Sequence, residues 1–346
     1  MDANVVVYDP NDQNPYGIEV SSILAHLGFQ VLLCKVQSRA PISLEGVRVR
    51  CGLGGGSETA TSRLRSFALR LIGPVHTAVS AGLTRTLVIV WTRDIWDISV
   101  FLVRAALGGR TLYVYHNPRQ VRARPGAAGW LERRFIRHVR VCVHSSRLAG
   151  KARADARDVT IVPHPLYTQT TLGATEWRPT GRTSETAVVA FVGALRDDKG
   201  AKDLVSIATA SERKWQLRII GAEKLSASDE QSLLNVGVAT EYVDGDKGPS
   251  DADLVAALVD CSLMVAPYRS VTESGSVLMA LTLGVPVLGY LSEGLEDTLT
   301  AASMAEGPEE LGRLISEFLN ESWDTTTISK ADRLAKTTLA WGHALG

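Results

Sequence analysis

The sequence predicts an α/β fold built from two Rossmann-like domains that face each other across a cleft. Short β-branched runs alternate with longer amphipathic stretches over most of the 346 residues, the pattern of a parallel sheet wrapped by helices. A polar, aperiodic segment rich in Thr, Gly and Pro, TQTTLGATEWRPTGRTSET (168–186), interrupts that alternation near the middle and reads as a linker. The alternation then restarts, so ligands are expected at the carboxyl ends of two sheets, where doubly wound folds bind them.

In the first domain (1–167), VVVYDP (5–10), QVLLCKV (30–36), TLVIVW (86–91), TLYVYHN (111–117), VRVCVHS (139–145) and VTIVP (159–163) read as strands buried on both faces. Helices are expected between them, for example over 17–29 and 98–109. In the second domain (187–325) the strands are AVVAFVG (187–193), QLRIIG (216–221), EYVD (241–244), CSLMVAPY (261–268) and VPVLGY (285–290). Helices follow over 202–211, 250–260 and 275–284. Ser250 is the expected N-cap of the second of these, with Asp253 at the capping-box position. Pro308 opens a further helix whose Leu311, Leu314, Ile315, Phe318 and Leu319 form an apolar stripe. A final helix over 326–346 is expected to cross back to the first domain.

Composition narrows the function classes. Apolar residues make up 45% and charged residues 21% of the chain, as in a globular protein with an ample core. Net charge is zero, so no overall field draws in nucleic acid. Charge is nonetheless uneven: thirteen Arg or Lys lie between Arg104 and Arg157 against two acids, Glu132 and Asp155. Such a stretch fits an anionic partner, a diphosphate or a lipid headgroup, and equally a solvated arginine-rich face. Cys34, Cys51, Cys142 and Cys261 are scattered without ligand spacing, so no metal site is expected and a reducing compartment is. No leader-like start and no membrane-length apolar run is present, so a cytoplasmic location is expected, with peripheral contact at the inner membrane face through the basic N-terminal domain.

Three units carry candidate chemistry. In the first, CSLMVAPY delivers the loop RSVTESG, and Ser274, Gly275 and Ser276 stand where a helix begins. Unpaired N–H groups and the positive dipole end favour an oxyanion there, although an ordinary βαβ turn has the same outline. In the second, FVGALRDDKG (191–200), Arg196 and Lys199 stand three apart and can neutralise a diphosphate, unless Asp197 and Asp198 satisfy both charges locally. In the third, His116 and Asn117 follow a buried strand directly, which suits a cleft, though a lone histidine is often a satisfied structural residue. His144 and His164 repeat that arrangement. The glycine-rich loop at 51–67 lacks the Lys-Ser/Thr ending of a triphosphate loop. The helix after it, with Arg63, Arg65 and Arg70 among apolar residues, packs on the sheet or rests on an anionic membrane.

Together these pieces resemble the GT-B-type retaining glycosyltransferases, specifically the large bacterial family-four group. The resemblance runs over nearly the whole chain: NPYG after the first strand, the strand-end HN, VHSS, VPHP before the linker, VGALRDDKG, DADLVAALVDCSLMVAPY and SGSVLMALTLGVPV. It implies transfer of a sugar from a nucleotide diphosphate donor with retained anomeric configuration. It also implies no metal, no separate cofactor and a donor held mainly by the second domain. By the same resemblance Arg196 and Lys199 look like the diphosphate pair, with Ala194 where many relatives place the arginine. His116 looks like the histidine that approaches donor sugar and acceptor, and Ser274, Gly275 and Ser276 like the phosphate-facing turn. Tyr16 and Gly17 match the flexible acceptor-side loop, with Asn117 beside it. The family's two glutamates fall on Val271 and Met279, with Glu273 two residues from the first. Losing a charge-assisted bond to ribose costs about 1.5–3 kcal/mol of donor affinity. Base contacts are expected around Gly221–Glu223 and Val243–Asp246. The acceptor is a small molecule, a lipid-linked species or a glycan. A degenerate relative that binds a sugar nucleotide or a partner without turnover is the alternative, and a sugar-nucleotide epimerase is a more distant one.

Overall fold

The computed structural model describes residues 4–11, 14–36, 43–53, 60–116, 126–171, 187–244, 248–271, 273–320 and 330–346. The chain divides into two compact units, Met1–Pro165 with Leu334–Gly346, and Leu166–Arg333. Most of the expected linker, 172–186, lies outside the described residues.

The first unit contains β1 (Val5–Asp9), α1 (Tyr16–His26), β2 (Val31–Lys35), β3 (Val47–Cys51), α2 (Ala60–Ala81), β4 (Thr86–Ile89), α3 (Ile95–Ala106), β5 (Thr111–Val114), α4 (Gly126–Ile136), β6 (Arg140–Val143), α5 (Ser146–Ala152) and β7 (Asp158–Ile161). Its seven strands run parallel in the order β3-β2-β1-β4-β5-β6-β7. Period-two alternation splits the core in two. Val6, Tyr8, Leu87 and Ile89 point to one face and pack under α2 to α5 with Phe101 and Phe135. Val5, Val7, Leu33 and Val88 point to the other, under α1 and the end of the last helix.

The second unit contains β8 (Ala187–Val192), α6 (Leu204–Ala210), β9 (Trp215–Ile220), α7 (Ala227–Asn235), β10 (Ala239–Val243), α8 (Asp251–Val259), β11 (Leu263–Ala266), α9 (Gly275–Leu283), β12 (Val287–Tyr290), β13 (Met304–Ala305) and α10 (Pro308–Asn320), and the last helix, α11 (Lys330–Leu345), begins in it. Its strands are parallel in the order β10-β9-β8-β11-β12-β13. Ser250 caps α8 with the full capping box to Asp253, and Leu311, Ile315, Phe318 and Leu319 are the buried stripe of α10.

Strand order reverses between β1 and β4 in the first sheet and between β8 and β11 in the second. Loops leaving the carboxyl ends of those strands diverge there and open a crevice, the usual seat of a ligand in such sheets. The loops holding His116 and the Ser274–Ser276 turn follow strands at or next to these points.

Some elements escape the sequence pattern. β3, VRVRC, is a partly exposed edge strand in which Arg48 and Arg50 are exposed, so it never forms an apolar run. On α7 only Leu233 is buried, too little for a helical stripe.

Candidate functional site

In the second unit, the loop after β8 is held against the loop after β11. Gly200 makes this possible: its φ is +69°, and a Cβ there would lie 2.0 Å from the Pro267 carbonyl oxygen. The Asp198 carbonyl then accepts from Arg269 N–H at 3.0 Å and from Ser270 N–H at 3.4 Å. This clasp sets the half-buried Lys199 with its Nζ 3.6 Å from the centroid of the Tyr268 ring, within cation–π range. Burial pushes the Lys199 ammonium down to about 8, with Asp198 opposing and Arg196 reinforcing that shift. Among the described residues Lys199 forms no ion pair.

The two candidate cations Arg196 and Lys199 have different surroundings in this structure. Arg196 is exposed and forks onto the Asp198 carboxylate, Nε to Oδ1 at 3.0 Å and Nη2 to Oδ2 at 2.9 Å. Asp197 takes Lys202 at 2.9 Å rather than Lys199. The two acids thus engage Arg196 and Lys202, and neither forms an ion pair with Lys199 among the described residues. The reason is reach: a residue two positions on lies within the arginine fork, whereas Lys199 is turned inward by the clasp at Gly200.

Ser274 is the N-cap of α9 and its Oγ accepts from Val277 N–H. Its hydroxyl lies 3.0 Å from Ser276 Oγ, which lies 3.0 Å from the Tyr268 hydroxyl, which donates to the Val192 carbonyl at 3.0 Å. A carbonyl only accepts, so the hydroxyl protons run in one direction: Ser274 to Ser276 to Tyr268 to Val192. The serine protons are committed, and the groups left at this helix end are the N–H groups of Gly275 and Ser276, which have no intrahelical carbonyl. Gly275 is kept bare, for a Cβ there would lie 3.0 Å from the Tyr167 hydroxyl.

Val271 is half-buried and Met279 is buried at 4% exposure, and neither side chain carries a polar group. Glu273 turns inward. Its Oε2 is enclosed without a hydrogen-bond partner among the described residues. Burial pushes its carboxyl up to about 8, with Arg333 working against this and Asp297 with it. Burial thus favours the protonated form of Glu273. Of the expected base-contacting loops, Glu223 accepts the Leu195 N–H at 2.6 Å, and Asp246 lies outside the described residues.

In the first unit, strand ends gather three imidazoles around Tyr16. Trp91, just beyond β4, stacks on His116 with centroids 4.0 Å apart and planes 9° apart. Tyr16 meets His116 edge-on at 4.8 Å and His164 at 4.7 Å. His144 Nδ1 lies 2.9 Å from the Val162 carbonyl oxygen, so that nitrogen carries the proton. In the neutral ring its Nε2 is then an acceptor and faces His116 Nδ1 at 3.2 Å. His116 Nδ1 must donate, which leaves the lone pair on His116 Nε2. That enclosed atom has no hydrogen-bond partner among the described residues. Burial first, then His144 and His164, hold His116 well below the ordinary imidazole range, with the Val90 backbone opposing. His116 therefore favours its neutral form.

Tyr16 and Gly17 are not in a loop. Tyr16 opens α1, is fully buried and belongs to the ring cluster. A Cβ on Gly17 would fall 2.2 Å from Asp9 Oδ2, so Gly17 lets the helix start close over that carboxylate. Asn117 lies outside the described residues. Tyr268, Trp91 and Asp9 were not anticipated; each is a polar or aromatic residue at the end of an apolar strand, and that was their signal.

No protein-family model and no curated protein matches this chain. Solved structures do. Sucrose-phosphate synthase from Thermosynechococcus elongatus superposes over 99% of this chain and 94% of its own, with a TM-score of 0.63 and 15% identity. HepE from Anabaena, in complex with UDP and glucose, does so over 99% and 97%, with 0.59 and 14%. The catalytic domain of starch synthase IV from Arabidopsis thaliana, bound to ADP and acarbose, matches over 100% of both chains, with 0.61 and 11%. The chain has the GT-B fold. Both sheets of that GT-B fold are present with their parallel strands and flanking helices. The histidine cluster and the Lys199 seat lie on its two separate units.

Proposed function

We propose that this protein is a glycosyltransferase that moves a sugar from a nucleotide diphosphate sugar to an acceptor, without a metal and with retained anomeric configuration. One observation carries the reading: Lys199, without an ion-pair partner among the described residues, stands over Tyr268 beside the N-terminus of α9. A diphosphate suits such a seat, because ammonium, backbone N–H groups and helix dipole all favour an oxyanion. HepE has been solved with UDP and with UDP-glucose, which supports a donor of that class. In a front-face displacement the C–O bond to the diphosphate breaks as the acceptor oxygen bonds to the same face of the anomeric carbon. The leaving diphosphate takes the acceptor's proton. The protein's part is to stabilise the charge that develops on the leaving oxygens. On this reading His116, in the ring cluster of the first unit, is the histidine that serves the reacting sugar.

The test is release of nucleoside diphosphate from a panel of nucleotide sugars and acceptors. Lys199→Ala is expected to lower kcat/KM by about 10- to 100-fold, the worth of one hydrogen bond to a charged group, and His116→Ala by about 2- to 10-fold, that of a neutral one. Full activity in both variants would reject the site. A second reading, binding without turnover, is favoured by the apolar, buried Met279. It predicts thermal stabilisation by a nucleoside diphosphate and no release with any acceptor.

A further inference from the structure

Four helices of the first unit, α2, α3, α4 and α5, cover one core and so lie on one face of its sheet. They contain two acidic residues, Asp97 and Glu132, and both are buried. Among the described side chains their exposed charged residues are Arg70, Arg134 and Arg147. The nearest carboxylate to Arg70 is the α3 N-cap Asp94, at 3.8 Å. A charge this one-sided is unusual in a chain of zero net charge.

The same face is apolar where it should be wet. Phe67, Leu71, Val75 and Val79 recur every four residues along α2, with Val79 72% exposed. This stripe runs about 18 Å, at 1.5 Å per residue. Val103 on α3 is 60% and Trp130 on α4 is 58% exposed. Between α2 and α3 lies a groove of about 400 Å³ walled by Val79, Leu83, Trp96, Val103 and Leu107. Contiguous exposed apolar surface of this kind marks an interaction site.

We propose that the face formed by α2 to α5 is the seat of an anionic bilayer surface, the apolar stripe of α2 and α3 in the headgroup layer and Arg70, Arg134 and Arg147 on lipid phosphates. Arginine with Trp, Phe and Leu is the composition of helices that lie in a membrane interface. A basic surface gains further from the negative potential of anionic lipid. A symmetric second copy would instead set arginine against arginine. No described helix is long and apolar enough to cross a membrane, so the contact is peripheral.

The experiment is flotation of the full chain with vesicles of phosphatidylcholine alone or mixed with phosphatidylglycerol. The chain is expected to float with the anionic vesicles, to be released by salt and to show blue-shifted tryptophan emission when bound. Val79→Glu with Val103→Glu is expected to lower the bound fraction about tenfold. Phe67→Ser with Leu107→Ser should do the same without new charge. Both pairs replace exposed side chains, so an unchanged circular dichroism spectrum and thermal midpoint accompany the loss. Failure of the intact chain to float overturns the proposal, as does undiminished binding by both pairs. A dimer in solution that the same pairs convert to monomer assigns the face to a second copy and overturns it too. The readout needs no sugar donor, so it stands apart from the proposed transfer.

Discussion

Lys199 shows how one residue's chemistry is set by its neighbours. Burial over Tyr268 lowers its pKa to about 8, because removing an ammonium from water disfavours the charged form. A diphosphate needs that charge. Affinity for a nucleoside diphosphate should therefore hold at pH 7 and fall as pH rises through about 8, and titration calorimetry at pH 7 and pH 9 measures it. A Lys199→Met variant should bind more weakly and lose this pH dependence; if its dependence matches the parent, another group is responsible. Position 199 was legible as a candidate in the sequence. Its separation from Arg196 was not, because the fork from Arg196 to Asp198 depends on how the loop folds.

At the scale of elements, the seat of Lys199 depends on two loops kept together by one residue. Gly200 adopts a left-handed conformation beneath the Pro267 carbonyl, where a Cβ would be 2.0 Å away. Gly200→Ala is expected to cost about 2–4 kcal/mol, from backbone strain and the forced shift of the loop. It should also move Lys199 off Tyr268 and weaken diphosphate binding. Denaturant unfolding and calorimetry on the same variant measure both, and an unchanged midpoint would mean the loops separate freely. Capping was readable here: Ser250 with Asp253 and Ser274 at its helix start are found where the pattern placed them. The ring cluster was half readable, since three histidines at three strand ends were visible but the wiring from Val162 through His144 to His116 needs their geometry.

At the scale of the whole molecule, residues 334–346 belong to the first unit although they end the chain. Trp341, Ala344 and Leu345 are buried in that unit's core beside α1. Arg140 donates to the Ala344 carbonyl at 2.8 Å and Arg110 to Gly346 O at 3.0 Å, occupying carbonyls that a helix end leaves open. Trp341→Ala should cost about 3–5 kcal/mol, the range for large aromatic truncations in a core. Denaturant unfolding checks this. A loss below 1 kcal/mol would mean that the helix end contributes little to the unit.

Local sequence determined the α/β class, the parallel sheets, the caps of α8 and α9 and the strand ends that carry candidate chemistry. Each of these follows from period, propensity and chain direction, which act over a few residues. Tertiary structure decided which charges remain for a ligand, which imidazole nitrogen keeps its lone pair, and that Met279 is buried while Glu273 turns inward. Those outcomes depend on packing and hydrogen-bond partners brought from distant parts of the chain, and no window of sequence contains both sides of such a contact.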